Sequence, residues 1–273
     1  VEVLMMENNK AGIVQRLLVA FSFLVMFIVN ALAALLPING VTPGEVSDSY
    51  PNLFAPAGFT FSIWSVIYVL LAVHTLYQLG LFRKKNQKVN DVLFRKTGLV
   101  FSVSSLINAA WIFSWHYRVI PLSMALMVLL LICLIVIVTM MNSQTLSLKD
   151  KLLIRLPFDV YFGWITVATI ANATSLFVSI GWKGFGLPEV TWTVIILAVG
   201  ALIGVVTLMR FKSIAYGLVL VWAYTGILIK HITTSGFSKQ YPSVIVMVSI
   251  CIAFFLAAIV FQLSRNYKPQ VSE

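Results

Sequence analysis

The sequence predicts an all-α integral membrane protein with eight transmembrane helices, and three observations lead there. Hydrophobic residues make up 60% of the 273 and charged residues only 10%, with a mean hydropathy of +0.97, whereas soluble domains carry about a quarter charged residues. The apolar residues gather into eight runs that meet or approach the roughly 20 needed to cross a hydrocarbon core about 30 Å thick. The Lys and Arg residues fall between those runs or near their ends. In a soluble chain a net charge of +10 would point to a polyanion; distributed this way it sets topology, and no nucleic-acid partner is expected.

Taken in order, the runs cover about 13–36, 58–82, 97–116, 120–142, 155–178, 188–209, 213–231 and 241–264. Residues 1–12 are polar and acidic. The first run is long enough to span rather than serve as the core of a cleaved signal, so no signal peptide is expected. With the N-terminus inside, 15 of the 19 Lys and Arg fall on the inner side and 4 outside (Arg118, Lys183, Lys230 and Lys239). That is the positive-inside bias, and an even number of spans places both termini in the cytoplasm. The basic inner loops and missing targeting peptide fit a bacterial plasma membrane. Cys133 and Cys251 each lie inside an apolar run without CxxC or Cys/His spacing, so neither a disulfide nor a metal site is expected.

Two loops stand out. Pro37–Ala57 is the longest outer connection and holds Pro37, Pro43, Pro51, Pro56, Glu45 and Asp48 with no basic residue. Arg83–Lys96 is a basic inner loop, read as topology setting with attraction to anionic lipid headgroups. The turn "RFKS" forces an antiparallel hairpin between the sixth and seventh spans. Gly200-Ala-Leu-Ile-Gly204 is a small-xxx-small pattern for close helix packing or an oligomer face.

Polar and aromatic residues within spans are where function concentrates, because lipid penalises unpartnered polar groups. In the second span Trp64 and Tyr68 are four apart and share a face, just after Phe61. In the third, Asn108 and Trp111 are three apart, with Trp115 a turn beyond. The fifth carries Tyr161, Trp164, Ala168 and Asn172 at spacings of three, four and four, one stripe down one helix face. Two readings stand side by side. The rings and asparagines line an interior cavity, or the rings are interfacial belt residues and the asparagines interhelical hydrogen-bond glue. Trp115, Tyr117 and Trp182, near span ends, fit the belt; Trp64, Trp111 and Trp164 sit deeper.

These segments resemble the translocator protein / tryptophan-rich sensory protein (TspO/MBR) family of five-helix membrane proteins. Phe54-Ala55-Pro56 leading to Trp64-x-x-x-Tyr68, Ile107-Asn108-x-x-Trp111, and Tyr161-x-x-Trp164-x-x-x-Ala168-x-x-x-Asn172 occur in the family's order on matching spans, covering about residues 13–178. The chain departs from the pattern at Ala55-Pro56, where the family has a Pro-Pro pair, and at Gly58-Phe59, Ser62 and Val160. Residues 179–264 add three spans, followed by a tail, 265–273. The resemblance implies a five-helix ligand-binding bundle over 13–178, with a pocket lined by Phe61, Trp64, Tyr68, Asn108, Trp111, Tyr161, Trp164, Ala168 and Asn172. Pro56 and Gly58 would form the hinge of a lid. It further implies a porphyrin or haem as ligand, or another flat apolar molecule, and a homodimer in the bilayer. Flat aromatic faces suit a macrocycle through stacking, and the asparagines would bond its polar edge.

Two titratable residues lie within or beside spans. Asp159 is one turn from Arg155, which reads as a local ion pair. His74 lies about 80° around its helix from Trp64 at 100° per residue, which reads as a hydrogen-bonded core histidine rather than an axial haem ligand. No Ser/His/Asp or metal constellation is evident, so catalysis is not expected. The leading reading is a ligand-binding sensor or transport-linked regulator; the alternative is a small-molecule transporter that uses all eight helices.

Overall fold

A computed structural model describes residues 2–36, 38–81 and 91–266, with side chains over 12–36, 38–81 and 92–265. Pro37, Lys268, and Arg83, Lys84, Lys85 and Lys88 of the basic loop lie outside the described residues, as does the Lys10 side chain. The long helices are α1 (Glu2–Leu35), α3 (Ile63–Gln78), α4 (Asp91–His116), α5 (Ile120–Asn142), α7 (Leu156–Ser179), α8 (Glu189–Phe211), α9 (Ile214–Ile232) and α10 (Pro242–Asn266). Short turns α2 (Pro43–Asp48) and α6 (Leu148–Asp150) complete the numbering. Eight stretches are long and apolar enough to cross a membrane, and the described residues contain no strand. The protein is an α-helical integral membrane protein.

Each expected run is a helix, with differences at the ends. A 3₁₀ turn over Gly58–Ser62 precedes α3. A π turn over Lys151–Arg155 leads into α7. Helix α4 starts at Asp91 rather than near 97, because its polar first turns are helical without being apolar.

The chain divides into two compact units. The first comprises residues 1–46 and 64–161. In it α5 buries Ile120, Ser123, Met127, Leu130, Leu134, Ile137 and Met141, a three-four spacing that makes one seam against α4. Its opposite face, with Leu122, Leu129, Ile132 and Val136, is exposed, as lipid permits. Helices α4 and α5 are joined through Arg118 in the left-handed region (φ 58°), and Pro121 pre-sets the first turn of α5. Behind them, His74, Phe101 and Phe158 pack edge to face with centroids 4.8–5.7 Å apart. His74 is a core histidine: Nδ1 lies 3.1 Å from Leu153 O and Nε2 3.1 Å from Gln78.

The second unit comprises residues 47–63 and 162–273. Its packing depends on missing side chains. A Cβ on Gly204 would lie 2.5 Å from Leu220 and 2.9 Å from Phe255, and one on Gly200 would lie 2.6 Å from the Tyr224 hydroxyl. The small-xxx-small pattern of α8 therefore serves packing against α9 and α10 within the chain. The Tyr224 hydroxyl donates to Leu197 O at 3.1 Å.

Candidate ligand site

In the first unit, helices α3, α4 and the start of α7 bring Trp64, Tyr68, Trp111 and Tyr161 together. Trp64 stacks on Tyr68 (5.6 Å, 13°), as the four-residue spacing predicts, and meets Trp111 at 5.9 Å and Tyr161 at 6.0 Å. Phe27 of α1 packs edge-on against Tyr68 at 6.0 Å. Beside the rings runs a polar chain. Asn30 Nδ2 donates to Asn108 Oδ1 at 2.7 Å, and Asn108 Nδ2 donates to the Tyr161 hydroxyl at 2.9 Å. Asn108 therefore links α1, α4 and α7.

Two donors in this cluster have no acceptor. Tyr68 is 8% exposed and Trp111 5%, yet among the described residues neither the Tyr68 hydroxyl nor Trp111 Nε1 has a hydrogen-bond partner. Leaving a buried donor unsatisfied costs about 1–3 kcal/mol, so two of them in one aromatic cluster mark it out. Trp64 is half-buried, whereas Tyr68, Trp111 and Tyr161 are buried. Trp115, expected at the interface, is instead 4% exposed; it stacks on Trp111 (6.1 Å, 22°) and donates Nε1 to Pro43 O at 3.1 Å. Tyr117, 60% exposed, is at the surface.

Asp159 is buried and pairs with Arg155 Nε at 3.2 Å.

The remaining expected residues belong to the second unit. Phe61 packs edge-on against Trp164 (5.9 Å, 83°). Asn172 is buried and Ala168 half-buried. The helical stripe discriminates poorly here, because α7 is buried all round from Pro157 to Val167. The segment holding Pro56 and Gly58 is fastened to α9: Ala57 N donates to Gly226 O at 3.1 Å and Trp222 Nε1 to Thr60 O at 3.0 Å. Thr60 lies so close to Gly226 that a Cβ there would fall 2.1 Å from Thr60 Oγ1. Further along, Lys230 pairs with Asp48 at 2.7 Å, and the Leu53 peptide is held at both ends, its N–H by Glu189 at 3.2 Å and its carbonyl by His231 Nε2 at 2.9 Å.

A protein-family model described as TSPO-like protein matches residues 16–261. The chain belongs to the TSPO-like family. The match runs past residue 178, where the motif resemblance stops, and takes in the three further spans. No curated protein and no solved structure matches the chain.

The TSPO-like chain has a second aromatic group that the motif argument passes over. Between α7 and α8, Trp182 meets Phe177 at 4.5 Å, Trp192 at 5.0 Å and Phe185 at 5.5 Å. Phe177, Trp182 and Trp192 border a cavity of about 430 Å³. Its sequence signal is Trp182, Phe185 and Trp192 around a glycine-rich loop, of which the belt reading took in Trp182 alone.

Proposed function

We propose that this TSPO-like protein binds a flat apolar ligand of the tetrapyrrole class, a porphyrin or haem, at the face formed by Trp64, Tyr68, Trp111 and Tyr161. The reading rests on the two acceptor-less donors, Tyr68 OH and Trp111 Nε1, buried beside rings that already stack. A macrocycle offers both a π face for the rings and carboxylate acceptors for the donors. The rings lie within about 6 Å of one another, so the ligand enters by displacing the half-buried Trp64, and the paired Asn30–Asn108–Tyr161 chain holds the wall behind it. The binding serves a sensor or transport-linked regulator with both termini cytoplasmic, the side favoured by the 15-to-4 partition of basic residues.

The test is a fluorescence and absorbance titration of protein in nanodiscs with protoporphyrin IX and haem. Saturable quenching is expected, weakened about tenfold or more in Trp64→Ala, since a hot-spot aromatic costs about 2 kcal/mol when truncated. No saturable binding, or equal affinity in the variant, sinks the reading. One observation favours transport by all eight helices instead: the family match spans all of them. Porphyrin flux into proteoliposomes, lost on altering α8–α10, would decide for it.

A further inference from the structure

The cavity of about 430 Å³ in the second unit lies within the range of small-molecule pockets. Its depth follows from its place in the chain. Phe177 and Val178 close α7, and Glu189, Trp192 and Thr193 open α8. The lining thus straddles the ends of two spans, the level at which headgroups meet water. Phe54 and Asn52, from the segment held to Glu189 and His231, complete it.

The chemistry left to a ligand is narrow. Trp192 Nε1 donates to Gly184 O, Thr174 to Ala171 O, Thr193 to Glu189 O, and Asn52 Nδ2 to Tyr50 O, all within 3.0 Å. Those donors serve the protein's own backbone. Glu189 accepts the Leu53 N–H through Oε1, which leaves Oε2. Lys183 is exposed at the rim. The charged groups among the lining residues are therefore the carboxylate of Glu189 and the ammonium of Lys183, both exposed, beside the rings of Phe54, Phe177, Trp182 and Trp192. One charge of each sign balances, which suits a zwitterion over a ligand of net charge. Aromatic faces beside a carboxylate attract ammonium groups, and a lysine suits phosphate as a point charge.

We infer that this cavity binds a zwitterionic ammonium-phosphate group such as phosphocholine, the ammonium against the Trp182 and Trp192 faces and Glu189, the phosphate on Lys183. The group is found in bilayer lipid and in soluble esters alike, and the cavity's level between two span ends gives lipid direct access. The inference stands independently of the porphyrin reading, because it shares no residue with it.

The test uses the full chain in maltoside micelles and follows tryptophan fluorescence against three probes: dihexanoylphosphatidylcholine, dihexanoylphosphatidylglycerol and phosphocholine. The choline lipid should bind saturably and the glycerol lipid should not compete. Glu189→Gln, which keeps an oxygen for the Leu53 N–H, should weaken choline-lipid binding about tenfold, and Lys183→Gln several-fold. Trp64→Ala should leave the titration unchanged, which separates this site from the porphyrin face. Phosphocholine binding as tightly as the lipid supports the site with a soluble ester as its source, and much weaker binding supports it with bilayer lipid. Equal binding of the two lipids, absence of saturation, or an unchanged affinity in Glu189→Gln overturns the inference; the first two need no variant.

Discussion

At Trp64, Tyr68, Trp111 and Tyr161 the rings meet at 5.6–6.0 Å, and two buried donors lack acceptors. At Phe177, Trp182 and Trp192 the rings meet at 4.5–5.0 Å, yet they border a cavity and Trp192 Nε1 is paired. Backbone explains the difference. The first group stands on helices, whose carbonyls already accept the i+4 N–H groups, and among the described residues no second acceptor reaches the Tyr68 and Trp111 donors. The second gathers around a loop, where Gly184 and Phe185 take left-handed conformations (φ 59° and 52°) and Gly184 turns its carbonyl to the indole. Here the loop supplies an acceptor to Trp192, while the helices supply none to Tyr68 or Trp111. The helical cluster is accordingly the better receiver for a ligand that brings its own acceptors, and the loop cluster for one that brings a cation.

The largest effect should come from Gly226→Val. A side chain there meets Thr60 at 2.1 Å and forces the 57–60 segment off α9, at a cost of about 1–3 kcal/mol for overpacking. Thermal unfolding in nanodiscs should show a lowered midpoint while the Trp64 stack still binds porphyrin; a wild-type midpoint would mean that the segment yields easily. Next, Asn108→Leu removes the link between Asn30 and Tyr161. Interhelical hydrogen bonds in membranes are worth about 0.6–2 kcal/mol, so it should destabilise the protein by about 1 kcal/mol and weaken porphyrin binding, leaving the lipid titration unmoved. Equal loss in both titrations would erase the distinction between the two clusters.

Asp159→Asn should do less. The Arg155 pair reaches one turn from the π turn into α7, Asn keeps an oxygen to accept from the guanidinium, and porphyrin affinity should hold within about twofold. A large loss would promote Asp159 into the site. The smallest effect concerns α2, whose start is a capping box. Thr42 N and Oγ1 donate to Glu45 Oε2 at 2.7 and 2.9 Å, and Glu45 N donates back to Thr42 Oγ1 at 3.3 Å. The backbone and side-chain hydrogen bonds from Thr42 hold the Glu45 carboxyl below its ordinary value. A folded-state value below the unfolded one gives stability that is present above the unfolded pKa and lost as pH falls through the folded one. Amide protection in α2 should therefore weaken on acidification below about pH 4, and Glu45→Ala should remove that dependence.

All eight spans were legible in the sequence because hydropathy acts over whole helices. What was hidden depends on partners far along the chain. The Trp64–Tyr68 stack was readable because both rings sit on one helix, and so was the Arg155–Asp159 pair. The burial of Trp115 was not, since it rests on a carbonyl of Pro43, 72 residues away. The same holds for Trp222, which fastens Thr60, 162 residues earlier. The 3₁₀ turn over Gly58–Ser62 had only Pro56 and Gly58 to announce it, and those residues fit any loop.

The fastening of Leu53 and Asp48 has a consequence for how the chain is made. Their partners His231 and Lys230 lie 178 and 182 residues downstream. At synthesis rates of about 5–20 residues per second, that is a wait of roughly ten to forty seconds before either contact can form. During that interval the segment between the first two spans has none of the α9 groups that later hold it. A chain stopped at residue 178 would stay in that state for good, with the motif helices complete and Asp48 and Leu53 without their α9 partners. The last three spans are thus the step at which the first loop is finished.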